Sequence, residues 1–186
     1  FFFFYPYSFR PNKFPIFYIS GMIIRAMEKE TAQPLSASGK LIPSDVFASW
    51  ILPYFSRSEL QDFPLILSSV GRWSGEENDV MDFANISGHP IKAVILLNIS
   101  ENDVIKRWEL VHNSGTREAD TTEERADDKK LETFKIRINE FRQKTLPVIL
   151  HYRSLGILIQ INADAPRDTV MTSVIDALYD FGDNRA

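Results

Sequence analysis

The sequence predicts an α/β fold in three layers, α/β/α, built on a parallel, doubly wound sheet. Apolar runs of strand length recur at Phe63–Val70, Lys92–Ser100 and Gly156–Asp164, with Pro15–Ser20 as a shorter fourth. They are apolar on both faces, as strands covered by helices above and below must be. Between them lie segments with helical three- and four-residue spacing, and strands alternating with helices build parallel sheets. In such sheets ligands bind at the carboxyl ends of the strands.

Phe1–Asn12, "FFFFYPYSFRPN", is aromatic, broken by Pro6, and free of glycine. It lacks the basic start and aliphatic run of a signal peptide and is too short to span a bilayer. It is expected to be an aberrant N-terminal segment, the edge of an incomplete or mistranslated reading frame, with a real aromatic packing segment as the alternative. "SENDVIKRW" opens a helix with Ser100 as N-cap and Asp103 three residues on, a capping-box arrangement. From Lys129 onward, Phe134, Ile138, Phe141, Val148 and Tyr152 fall on one helical face. Pro147 is expected to kink that helix and Gly156 to end it. A last helix starts near Asp164-Ala165-Pro166 and is expected to turn Val170, Val174, Leu178 and Phe181 inward. Glu109–Arg125, "ELVHNSGTREADTTEER", is polar and charged, and reads either as a solvated loop or as a mobile lid.

Composition narrows the function. The 186 residues, 44% hydrophobic and 25% charged, suit one globular domain. A net charge of −4 gives no support to nucleic-acid or anionic-membrane binding. With no cysteine, the sequence excludes disulfides, thiolate nucleophiles and cysteine-ligated zinc. His89, His112 and His151 have no metal-ligand spacing, so no metal site is expected and the histidines read as structural or surface groups. Trp50, Trp73 and Trp108 read as packing residues.

The one Gly-Lys pair, in "QPLSASGKLIPSD" (Gln33–Asp45), suggests a phosphate-binding loop. That loop is G-x-x-x-x-G-K-[ST], with backbone N–H groups around the phosphates and a hydroxyl on magnesium. Here Pro34 replaces the first glycine and Leu41 the hydroxyl. The first has no N–H to donate and the second cannot ligand a metal. The arginines are more informative. Arg25 follows a strand and turn, Arg72 lies just past Phe63–Val70, and Arg107, Arg117, Arg125 and Arg137 bracket the polar segment. Arginine suits phosphate because it is always charged and donates two parallel hydrogen bonds. Asp127-Asp128 reads either as an acid/base pair or as surface charge at a helix start.

Taken together, the segments from about Lys13 to Phe181 resemble the adenylate kinase and nucleoside monophosphate kinase family. "KFPIFYISGMIIRAMEKE" is similar to its strand, turn and arginine-bearing helix, and "SGKLIPSDV" to a segment bordering its monophosphate site. "AVILLNISENDVIKRW" resembles the strand and helix leading to the lid, "RADD" the return from it, and "EFRQKTLPVILHYRSLGILIQINAD" the closing helix and last strand. The resemblance implies a P-loop kinase-like fold whose first strand and phosphate loop are absent or replaced, since they should precede Lys13. Gly39-Lys40 then belongs to the acceptor side. The implied organisation is an aberrant segment 1–12, a kinase-like domain 13–182 and a tail 183–186. Within the domain, a monophosphate subdomain covers about 21–59 and a lid about 108–126.

The implied activity is ATP-dependent phosphorylation of a nucleoside monophosphate, with AMP as the expected acceptor, Mg2+ accompanying ATP, and a monomeric, cytoplasmic protein. It implies that Ser20, Arg25, Ile42, Arg72 and Glu76 border the monophosphate. Arg107 and Arg117 face the ATP phosphates, Asp127 positions the closed lid, and Arg72, Arg125 and Arg137 clamp the transferring group. The chain departs from the family pattern in four places. Ser68 stands where an acid near magnesium is expected, and Glu76 where a base-reading Gln is usual. One residue is inserted between Asp128 and Arg137, and the lid has no zinc cysteines. Without the loop's backbone donors, catalysis is expected to be impaired by a factor of roughly 10³–10⁵. The alternatives are an inactive monophosphate-binding or regulatory module, and another small-molecule kinase of the same fold.

Overall fold

The computed structural model describes residues 17–20, 27, 29–31, 40–58, 65–68, 70–114 and 131–183, with 17–20 and 110–114 as backbone. The apolar runs become parallel strands, as expected. Strand β1 (Phe17–Ser20) pairs with β2 (Leu65–Ser68) from Phe17↔Leu65 to Ser20↔Ser68. Strand β3 (Val94–Asn98) pairs with β4 (Leu158–Asn162) from Val94↔Leu158 to Asn98↔Asn162. Each strand is shorter than its apolar run. Among the described residues the strands form two separate two-stranded ladders, and no strand joins β2 to β3.

Helix α1 (Ser44–Ile51) runs into a 3₁₀ turn (Leu52–Ser56). Helix α2 (Glu76–Ile86) follows β2, and α3 (Glu101–Ser114) follows β3. Helix α4 (Leu131–Glu140) continues through a π-helical turn (Phe141–Thr145) into α5 (Leu146–Ser154), and α6 (Arg167–Asp183) closes the chain. Parallel pairing demands long crossovers, and helices supply them.

Two apolar clusters hold these elements. In one, Phe47, Ile51, Leu52 and Phe55 of α1 and its 3₁₀ turn meet Val80 and Ala84 of α2, with Leu65 and Leu67 of β2 against them. In the other, Ile95 of β3, Ile161 of β4 and Val174 of α6 pack together, with Leu97, Ile159, Val170 and Ala177 around them. Alternate residues of β3 and β4 therefore point toward α6, as the period of two requires.

Ser100 caps its helix as expected, but the reciprocal bond of a capping box, from the Ser100 N–H to Asp103, is replaced by one from the Ser100 hydroxyl. The Ser100 hydroxyl accepts the Asp103 N–H at 3.1 Å and donates to the Asp103 carboxylate. Helix α4, the π turn and α5 follow one another without a break from Leu131 to Ser154, with Pro147 inside that rod. Pro147 has no N–H and its ring presses on the carbonyl of Gln143 one turn back. The wider turn relieves that crowding, and the Leu146 N–H reaches back five residues to the Phe141 carbonyl. Gly156 ends the rod with φ +69°, a left-handed conformation that a Cβ would oppose. The Gly156 N–H bonds the Arg153 carbonyl and the Ile157 N–H the Tyr152 carbonyl, a Schellman ending.

One expected inward residue is corrected. Leu178 is 42% exposed, whereas Ala177 packs on the cluster. Positions 170, 174, 177 and 181 keep to one helical stripe, and 178 lies about 70° from its centre.

Phe55 is fully buried and Leu178 is not. Phe55→Ala should lower unfolding stability by about 3–5 kcal/mol, and Leu178→Ala by less than about 1 kcal/mol. Urea titration of the two variants checks this, and equal losses would count against the stripe.

Candidate functional site

The carboxyl ends of β1 and β2 come together because Ser20 and Ser68 are paired in register. Ser68 is buried, and a few residues beyond it the chain turns tightly through Gly71–Gly75 before opening α2. Gly71 has φ +64°, and a Cβ there would lie 3.2 Å from Val80 Cγ2, so both conformation and space favour glycine. This turn carries Arg72, half-buried.

Two neighbouring carboxylates fix the turn. Glu76, 6% exposed, accepts the Arg72 and Trp73 N–H groups on Oε2 at 3.1 Å each, and the Ser44 hydroxyl on Oε1 at 2.7 Å. Burial pushes its carboxyl above the ordinary value of 4.5, against the lowering effect of these hydrogen bonds and of the Arg72 charge. Glu77, 3% exposed, accepts the Gly75 N–H on Oε2 at 2.6 Å and lies 3.2 Å from His151 Nδ1 of α5 through Oε1. Burial, helped by the Glu77 charge, pushes the Tyr152 phenol well up.

A third buried carboxylate ties in the segment before α1. Glu140, at the end of α4, accepts the Leu41 N–H at 3.1 Å and the Lys144 ammonium at 2.6 Å. Burial raises its carboxyl, but Lys144, the Leu41 N–H and the charge of Lys40 outweigh that and hold it below 4.5. Lys144 also lies 3.8 Å above the Trp73 ring, a cation–π contact closing the loop back to the Arg72 turn. Ile42, next to Leu41, is buried.

The second ladder presents Arg107 at its carboxyl end. Arg107 Nη2 donates to the Ala163 carbonyl at 2.9 Å and the Ala165 carbonyl at 3.4 Å, just past β4, with Asp164 at 3.9 Å. Next to it, Trp108 stacks on Phe134 of α4 at 5.9 Å, pinning together the helices on either side of residues 115–130. The Arg142 guanidinium and the Glu101 carboxylate join the π turn to the start of α3. Arg137 lies half-buried in the last turn of α4.

Of the residues singled out from sequence, Ser20, as backbone, and the side chains of Ile42, Arg72 and Glu76 belong to the first ladder and its flank. Arg107 belongs to the second ladder and Arg137 to the long rod. Arg25, Arg117, Arg125 and Asp127 lie outside the described residues, as does the middle of the lid segment. No motif in the sequence marks Ser44, Glu77, Glu140 or Lys144 for the site, while His151 and Trp73, expected as structural or surface and packing groups, bear on Glu77 and Lys144. The only local sign was the Glu76-Glu77 pair just past a glycine turn, and charge at a helix start usually means a solvated face. No group of three or more His, Asp or Glu able to hold a metal occurs among the described residues. No helix among them is long and apolar enough to cross a membrane.

This is a mixed α/β protein of parallel strands and helical crossovers, consistent with a P-loop kinase-like fold, with arginines standing near the carboxyl ends of its strands. The chain is related to the adenylate kinase and nucleoside monophosphate kinase family. It is 26% identical over 181 residues to an adenylate kinase of Chlamydia pneumoniae, covering 86% of this chain and 84% of that one. It is 26% identical over 146 residues to an adenylate kinase of Prochlorococcus marinus (strain MIT 9211), covering 77% of this chain but 62% of that one. A UMP-CMP kinase 2 of Oryza sativa subsp. japonica is 28% identical over 136 residues, 73% of this chain and 49% of the relative. No protein-family model matches the chain.

Glu76 and Glu140 should leave opposite signatures on stability. A carboxyl raised on folding gives stability that is full below 4.5 and lost as pH rises through its folded value. A carboxyl lowered on folding gives stability that is present above 4.5 and lost as pH falls through its folded value. Melting temperatures of the wild type, Glu76→Gln and Glu140→Gln between about pH 3 and 7 test this. Each variant should remove one limb, Glu76→Gln the loss on the alkaline side and Glu140→Gln the loss on the acid side. Difference curves sloping the same way would contradict the assignment.

Proposed function

We propose that the chain is a nucleoside monophosphate kinase that transfers the γ-phosphoryl group of ATP to AMP. In this reading an oxygen of the acceptor's phosphate attacks the γ-phosphorus, and the bond to the oxygen of the departing ADP breaks. The products are two molecules of ADP. The observation that carries the reading is the meeting of the in-register Ser20–Ser68 strand ends with the braced Arg72 turn, in a chain whose relatives are named adenylate kinase.

Ser20, Arg25, Ile42, Arg72 and Glu76 would border the monophosphate. Arg72 suits its phosphate because guanidinium matches a phosphate edge with paired hydrogen bonds. Arg107 and Arg117 would face the ATP phosphates and Asp127 would steady the closed lid. Arg125 and Arg137, with Arg72, would neutralise the group in flight. In phosphoryl transfer such positioning and charge stabilisation do nearly all the work, and lid closure keeps water from competing as acceptor. Mg2+ would arrive with ATP as part of the substrate and neutralise phosphate charge. The chain's own residues at the β2 end offer it the neutral Ser68 hydroxyl rather than a carboxylate. A monomeric, cytoplasmic protein fits this reading.

Ser68 also favours a second reading, a monophosphate-binding module with little or no turnover. A coupled assay for ADP formation from ATP and AMP, with calorimetry of each nucleotide, separates the two. The kinase reading expects ADP formation dependent on both nucleotides. The module reading expects AMP to bind while ADP formation is absent. In either case Arg72→Ala should weaken AMP binding by about 10–100-fold, the loss of a charge-assisted hydrogen-bonded pair. Unchanged AMP affinity in that variant would remove Arg72 from the site.

A further inference from the structure

We propose that Glu76 is a positioning residue, whose carboxylate sets the backbone of the Arg72 turn and couples it through Ser44 to helix α1, and that it does not read the base. This rests on the proposed grip of Arg72 on a monophosphate and names how that grip is built.

The carboxylate is already occupied. Oε2 takes two backbone N–H groups, those of Arg72 and Trp73, and Oε1 takes the Ser44 hydroxyl. The side chain is 6% exposed, so its edge faces its own backbone rather than an open surface. The chemistry of the base points the same way. Adenine presents one acceptor and one donor side by side on its pairing edge, which an amide can match with a donor and an acceptor. An ionised carboxylate is acceptor-only and cannot.

The turn itself needs such a partner. With Gly75 N–H taken by Glu77, the two carboxylates together accept the N–H groups of residues 72, 73 and 75. These bonds are part-buried, and a buried N–H left unmatched is costly enough to make the turn rearrange. Ser44 is the first residue of α1, two residues from Ile42 and three from Leu41, whose own N–H is held by Glu140. The Ser44–Glu76 bond therefore ties the Ile42 wall to the Arg72 turn, both parts of the proposed monophosphate site. Glutamine at position 76 can keep this arrangement, with its carbonyl on the two N–H groups and its amide donating to the Ser44 oxygen. Alanine cannot.

The test combines amide hydrogen exchange with steady-state kinetics on the full chain, in the wild type and in Glu76→Ala, Glu76→Gln and Ser44→Ala. The Arg72 and Trp73 amides should be protected in the wild type and Glu76→Gln, and should exchange at least tenfold faster in Glu76→Ala. For turnover, Glu76→Ala should lower kcat/KM by about 10²-fold for AMP, CMP, UMP and GMP alike, a misplacement effect. The ratios among the four should stay within about threefold, and Glu76→Ala should add little to Arg72→Ala in the double variant. Glu76→Gln should recover at least tenfold of the loss, and Ser44→Ala should show a smaller, equally base-independent loss.

A shift of more than tenfold in base preference in any Glu76 variant would overturn the proposal, as would full additivity with Arg72→Ala. If Glu76→Ala does not fold, the base ratios of Glu76→Gln and Ser44→Ala decide the matter by the same limits. If no variant and no wild-type protein turns over nucleotide, the kinase reading fails. Amide exchange still judges Glu76, because equal exchange in the wild type and Glu76→Ala would refute the positioning role.

Discussion

The turn that carries Arg72 depends on buried carboxylates that accept backbone N–H groups. Glu76 holds the amides of Arg72 and Trp73, Glu77 that of Gly75, and Glu140 that of Leu41. A buried carboxylate is tolerable only when its lone pairs are used, and each of these uses both oxygens or takes two donors on one. The arrangement is demanding, because removing any one member leaves a desolvated group unpaired. That demand makes the geometry of the Arg72 turn specific, with few alternative backbones that satisfy the same donors.

The same carboxylates reach outward to elements distant in sequence. Ser44 lies 32 residues before Glu76, His151 lies 74 after Glu77, and Leu41 lies 99 before Glu140. Two of these three links end on the rod formed by α4, the π turn and α5. The rod therefore joins the segment before α1, through Glu140, to the start of α2, through His151, while α5 also packs on β4. Its π turn lies between those two anchor points, and Lys144 on that turn covers Trp73. The widening forced by Pro147 thus falls where the rod touches the site. Exposed ion pairs such as Arg142–Glu101 add orientation here more than stability, since such pairs are worth about 0–1 kcal/mol.

Much of the fold was legible from the chain because it rests on local, periodic signals. Strand positions followed from short apolar runs, and the Ser100 cap and the Gly156 ending followed from residue chemistry at element ends. The error at Leu178 came from extending a four-residue step where the helix takes three. The candidate site was harder to read. The arginines could be marked as phosphate-binding types, but Arg72, Arg107 and Arg137 are spread over both ladders and the rod, and nothing in the linear order says which of them share an end. Glu77, Glu140 and His151 carried no signal, because a charged residue in a helix is ordinarily solvated and only its tertiary neighbours show otherwise.

The alternation of parallel strands and helices, the exclusion of thiol chemistry, the Ser100 cap and the Gly156 ending can all be read from the chain. These depend on side-chain type and spacing within a few residues. Only the tertiary structure decided the separation of the described strands into two ladders, the pairing of Ser20 with Ser68, and the inward aim of three carboxylates. Those depend on which groups meet across tens of residues, where burial and the need to satisfy each desolvated donor and acceptor select one partner among many.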